Sequence, residues 1–211
     1  MAGKLKFDEL NKLDGRRAMP YEQFFGEMDI SEEEKQKRIE MAERFEELFR
    51  EYFIAYADES NNDDWQTILQ ERFADIAMLF VTAVATTAYI EDLARQLAEE
   101  VTRVTEERAE DDDFWLSDDR AMLIAENESN VVGNYDEYIV AVRSGCTMKR
   151  WDSMKDERVR KSHVKMDGTT IPIAELFVVG KSASLMLFPL DTSYGADMNE
   201  IAGCRCHATY S

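Results

Sequence analysis

The sequence predicts an α+β protein: a mainly α-helical N-terminal half followed by a small, loop-rich α+β C-terminal domain. Two observations predict it. Apolar residues recur at helical spacing from Ser31 to Ser144. From Cys146 onward the segments are short and rich in β-branched and aromatic residues, with turns at Asp167-Gly168, Pro172, Gly180, Pro189 and Gly195. With 211 residues, 45% of them hydrophobic and 33% charged, the chain is long enough to bury a sizeable core, as one domain or two.

Residues 1–30 carry short apolar patches without a sustained period and read as a flexible arm, to which Phe24-Phe25 gives something to bury. Ser31-Glu32-Glu33-Glu34 is a capping box, and the apolar series Ile39, Met41, Phe45, Leu48, Phe49, Tyr52, Phe53 and Tyr56 continues it as a helix. That helix stops in the polar run 58–62. A second helix begins near Asp63 with Asn62 as its cap, and after Ala74 it is apolar nearly all round, the pattern of a bundle centre. A break near Thr86-Thr87 separates it from a third helix through Ile90, Leu93, Leu97, Val101 and Val104.

The acidic run 106–113 marks either a boundary between the halves or a solvated helix end. The division that follows is 1–30, 31–115 (an acidic helical bundle) and 116–211. Ser117-Asp118-Asp119 caps a further helix that ends at Ser144-Gly145, where glycine is the expected terminator. Thr169–Ile173, Leu176–Val179 and Leu185–Phe188 read as short strands.

The net charge of −19 is concentrated in the middle: residues 31–115 carry nine basic against 24 acidic side chains. Like charge keeps that region off a phosphate backbone. Residues 143–165 reverse the balance, with eight basic against three acidic side chains. This window is either a solvated face or a weak nucleic-acid contact through Lys149, Arg150, Lys155, Lys161 and Lys165. The longest uncharged run, Ile76 to Ile90, is too short for a membrane span. No basic start is followed by an apolar run, so a secretory signal is not expected. Three cysteines, two in a Cys-x-Cys pair, do not make a disulfide framework, and reduced thiols in a cytoplasmic compartment are expected.

The densest chemistry lies in Trp151 to His163 and in Cys204-Arg205-Cys206, which His207 follows directly. His163, Cys204, Cys206 and His207 are all zinc-binding residue types, and a small loop-rich domain is often stapled by a metal. The alternative is buried thiols beside a hydrogen-bonded histidine, with no cofactor. Asp156, Arg158, Arg160, His163 and Arg205 are expected to form an internal polar network around the Cys-Arg-Cys segment. Trp151 is expected in the core. Asp152, Asp156 and His163 could also be drawn as an acid–base set, which requires convergence on one atom. Common phosphate-loop, serine-hydrolase and zinc-protease motifs do not occur.

One series of residues runs Arg120, Ile124-Ala125, Glu128-Ser129-Asn130, Gly145, Lys149-x-Trp151, Asp156-x-Arg158-Val159-Arg160-x-x-His163, Asp167-Gly168, Phe177, Pro189-x-Asp191 and Cys204-Arg205-Cys206. In order and spacing this resembles the tailed-phage head morphogenesis family, the Mu F-like minor head proteins, over roughly residues 115–208. The resemblance implies a low-copy, non-enzymatic structural protein of the phage head, assembled in the bacterial cytoplasm. Its implied partners are the portal and capsid proteins, with no membrane and no small-molecule substrate. Many relatives carry Arg-Thr-Cys-x-x-Cys before the Asp-Gly. Here Arg160 and His163 stand at the two cysteine positions, so the ligand set is depleted. Relatives often read Ala-Arg-Thr-Glu-Thr-Asn where this chain has Ala125-Glu126-Asn127-Glu128-Ser129-Asn130, which replaces an arginine with Glu126. Similar domains also end toxin-like polypeptides, so the alternative function is an effector, nuclease or transferase, acting in the host cell.

Overall fold

The computed structural model describes residues 18–82 and 87–211. The long helices are α2 (Glu32–Ala57), α3 (Trp65–Phe80), α4 (Thr87–Arg108) and α5 (Asp118–Arg143), preceded by the short α1 (Tyr21–Gly26). Ser31 Oγ accepts from the Glu34 amide and starts α2 as the capping box requires. Ser117 does the same for α5 through the Arg120 amide. Gly145 at φ +80° ends α5 in a left-handed turn. The second helix starts slightly later than expected: the Asp64 side chain, not Asn62, accepts from the Thr67 amide. The expected break stands between Phe80 and Thr87, although Ala83 and Thr86 themselves lie outside the described residues.

α2 and α5 form the axis of the molecule, and one continuous core runs from Met19 to Cys206. Two expectations change here. Residues 18–30 are not a loose arm: Met19, Tyr21, Phe24, Phe25 and Met28 are buried in that core, and the Met19 amide donates to Glu126 Oε1 at 3.0 Å. Two adjacent phenylalanines bury enough apolar area to fix a six-residue helix that propensity alone would not hold. The expected arm residues 1–17 lie outside the described residues. The second change concerns α3, which is a flank and not a bundle centre. It packs on α2 and α4 through Leu69, Phe73 and Ala77, while Leu79 is 68% exposed. The core also crosses residues 115–116 unbroken, with Trp115 inside it.

The C-terminal part begins with β1 (Met148–Asp152), the centre of an antiparallel sheet ordered β2 (Thr170–Pro172), β1, β5 (His207–Tyr210). A separate hairpin pairs β3 (Phe177–Val179) with β4 (Ser184–Met186). Two short helices, α6 (Lys161–Met166) and α7 (Met198–Ile201), complete it. Asp152 pairs with His207 across the sheet, so β1 and β5 bring the Trp151 region beside the Cys-Arg-Cys segment.

Candidate functional site

α6 carries His163 and the turn after α7 leads to Cys204 and Cys206; the three side chains meet in the interior beneath Trp151. His163 Nδ1 lies 3.4 Å from Cys204 Sγ and 3.4 Å from Cys206 Sγ. All three residues are at most 2% exposed. The Trp151 ring meets His163 and Phe177 edge-on, at centroid distances of 5.3 and 5.2 Å. On the other side of the imidazole, Nε2 faces Glu200 Oε2 at 3.1 Å, and that same oxygen accepts from Ser162 Oγ at 2.6 Å. Gly203, at φ +59°, supplies the tight bend that lets a Cys-x-Cys pair aim both sulfurs at one point.

The cluster is electrostatically coupled. Burial opposes ionisation of Cys204, but the Cys206 thiol and the His163 ring outweigh it and hold Cys204 well below the ordinary thiol range. Burial likewise disfavours charged His163, and the Cys204 sulfur reverses that and raises the imidazole. Cys206 is pushed up, first by its contact with Cys204 and then by burial.

α5 positions this segment with three asparagines on one stripe. Asn127 Oδ1 accepts from the Gly203 amide at 3.0 Å. Asn130 Nδ2 donates to the Cys204 carbonyl at 2.9 Å. Asn134 Nδ2 donates to the carbonyls of Cys206 (3.0 Å) and Pro189 (2.9 Å). Positions 127, 130 and 134 share a helix face, so one stripe can follow an extended strand. The amide oxygens of Asn130 and Asn134 turn the other way and accept from Arg38 of α2, which is fully buried. Arg38 also binds Glu34 at 3.0 Å and Glu137 at 2.9 Å.

The expected site residues sort as follows. Three of the four zinc-type residues converge; His207 does not, because on β5 it pairs with Asp152 outside the cluster. Burial drives its pKa down to about 4, and the Arg38 charge adds to that. Within the expected network Arg205 pairs with Asp156 at 2.5 Å, and Arg160 hydrogen-bonds to the Ala202 carbonyl. Arg158 contributes its backbone amide to Asp156, while its exposed side chain reaches the Met19 sulfur. Asp152, Asp156 and His163 form no common cluster among the described residues: Asp152 binds Arg150 and Thr209, and Asp156 binds Arg205.

The basic window is also divided. Lys149 is 1% exposed, and its Nζ donates to the Leu187 carbonyl at 2.5 Å and faces the Tyr138 and Phe177 rings. It cannot touch a phosphate, because the pleat of β1 turns positions 149 and 151 inward together. Burial lowers its pKa to about 8. Arg150 is paired with Asp152 at 2.8 Å, Lys155 stands 3.8 Å from Asp167, and Lys155, Lys161 and Lys165 are exposed.

Sequence reasoning missed Arg38, Asn134 and Glu200. Only Asn134 had a readable signal, one helical turn beyond Asn130 on the same stripe. Among the described residues no helix is long and apolar enough to cross a membrane.

The sequence profile of the family described as Phage Mu protein F like protein matches residues 74–209. The match begins well before residue 115 and takes in α4 as well as α5 and the sheet. No curated protein and no solved structure matches the chain.

Proposed function

The chain belongs to the Phage Mu protein F like family, and from that premise we propose that it is a minor head protein, acting without catalysis in the assembly of a tailed-phage head at the portal vertex. The observation that carries this reading is the family match from α3 to β5. It spans the α5 asparagine stripe, the sheet and the His–Cys–Cys cluster, which the fold uses as one packed unit. Two further observations agree with it. The carboxylates available for an acid–base set are each bound to a structural partner. The strongly acidic helical half, with 24 acidic against nine basic side chains in residues 31–115, favours contact with other head proteins over DNA. Any contact with DNA is confined to Lys155, Lys161 and Lys165 and falls steeply with salt.

The test is quantitative mass spectrometry on purified DNA-filled heads, reading the ratio of this chain to the portal subunit. A few to a dozen copies per particle, lost together with the portal when the vertex is stripped, is the expected result. Absence from mature heads, or a copy number matching the major capsid protein, overturns it.

A further inference from the structure

We infer that His163, Cys204 and Cys206 form a preassembled zinc(II) site in which Glu200 orients the histidine and one coordination position is left to water. The inference stands apart from the head role and does not depend on it.

Zinc–sulfur and zinc–nitrogen bonds of about 2.3 and 2.0 Å at tetrahedral angles place neighbouring sulfur and nitrogen ligands about 3.5 Å apart. His163 Nδ1 lies 3.4 Å from each of the two sulfurs, and all the donor atoms lie within 4.8 Å of one another. Three soft or borderline donors therefore already stand at a spacing that one zinc ion spans. Hydrogen bonding alone does not demand that arrangement. A single imidazole nitrogen has one lone pair or one proton to offer, yet here two sulfurs approach it at equal distance.

The surroundings supply the rest. Metal-bound histidines usually present their second nitrogen to a carboxylate, which fixes the ring and strengthens it as a ligand. Glu200 Oε2 stands 3.1 Å from His163 Nε2 and is itself held by Ser162 Oγ. Charge also balances: a divalent cation with two thiolates is neutral, and the nearby Glu200 and Arg160 cancel. The Arg160 guanidinium is bonded to the Ala202 carbonyl and not to either sulfur. His163, Cys204 and Cys206 themselves face a cavity of about 10 Å³, whose other walls include Val159 and Arg160 and which suits one water as the fourth ligand. Backbone placement is independent of the metal, since Asn127, Asn130 and Asn134 already hold residues 203–206. Metal binding then needs little reorganisation beyond loss of the thiol protons.

The experiment uses the full chain, purified under reducing conditions, with cobalt(II) and zinc(II) as probes. Cobalt(II) is expected to bind at one equivalent with a thiolate charge-transfer band and the visible bands of a tetrahedral ion. Zinc(II) should displace it at the same stoichiometry. Cys206→Ser should abolish the charge-transfer band at stoichiometric cobalt, whereas His207→Gln should leave it intact. Glu200→Gln removes no metal ligand and should keep the wild-type circular dichroism while weakening zinc about 10-fold or more. Absence of the cobalt band from protein whose three thiols titrate as free overturns the proposal. So does a Cys206→Ser protein that keeps both its fold and its band.

Discussion

A methyl group added at Gly133 tests the Arg38 hub more sharply than removing Arg38. Gly133 sits in the interior of α5, where replacing glycine with alanine normally stabilises a helix by about 1 kcal/mol. Here the new Cβ would fall 2.5 Å from Arg38 Nε and 2.7 Å from Cζ. The guanidinium has no room to yield, being fully buried and bonded to Glu34, Asn130, Asn134 and Glu137. Moving it by about 1 Å breaks at least two of those charge-assisted bonds, at roughly 1.5–3 kcal/mol each. Set against the helix gain, Gly133→Ala should destabilise the protein by about 2–5 kcal/mol, a large share of the roughly 5–15 kcal/mol typical of a folded domain. Arg38→Met should itself cost about 3–5 kcal/mol, because it strands the two asparagine oxygens and Glu137. In that background the clash is gone, and Gly133→Ala should become neutral or stabilising by up to about 1 kcal/mol. Urea unfolding of the four proteins at pH 7 closes the double-mutant cycle. A Gly133→Ala protein at least as stable as wild type, or an equal loss in both backgrounds, refutes the reasoning.

Three pH experiments follow from buried groups. Burial raises the Glu128 carboxyl to about 7, with the Asn127 amide opposing, so its folded state holds a proton that the unfolded chain has released. Its contribution is complete below about pH 4.5 and lost by pH 7, and Glu128→Gln should be up to about 3 kcal/mol more stable than wild type at pH 8, a gap that closes in acid. His207 runs the other way: with a folded pKa of about 4, stability present above pH 6.5 drains as pH falls toward 4. Thermal melts of His207→Gln should lack up to about 3 kcal/mol of that acid loss. Lys149, lowered to about 8 by burial, disfavours folding while charged. Wild type should therefore gain on Lys149→Met by up to about 3 kcal/mol between pH 8 and 10.5, read from denaturant midpoints; a constant difference would exclude a buried ammonium.

What was legible in the sequence was whatever has a local cause. The Ser31 and Ser117 caps, the Gly145 stop and the helical period of α2 and α5 are written in adjacent residues, and they appear where expected. Three short strands were visible through their apolar content. β1 was not, because Lys149-Arg150-Trp151-Asp152 reads as charge, and only the pleat reveals that lysine and tryptophan share the inner face. β5 and α7 are four residues each and α1 is six, too short for any period. The site divides in the same way. Residue type and the Cys-x-Cys spacing pointed to His163, Cys204 and Cys206, but proximity along the chain also pointed to His207, which the strand turns elsewhere. Glu200 and Arg38 act through tertiary contacts across 37 and 92 or more residues, and no local pattern announces them.

The two-sided asparagines have a consequence for exchange between relatives. Asn130 and Asn134 each present oxygen to α2 and nitrogen to residues 189–206, so neither amide can turn over without losing both neighbours. A chimaera that grafts foreign N-terminal helices onto this C-terminal part must bring an arginine opposite both amides, or replace the asparagines as well. Apolar core positions tolerate substitution by similar volume, but this junction demands matched chemistry from both sides. The two ends of the chain are thus constrained to be inherited as a pair, and recombination within α3 or α4 would separate what the fold requires together.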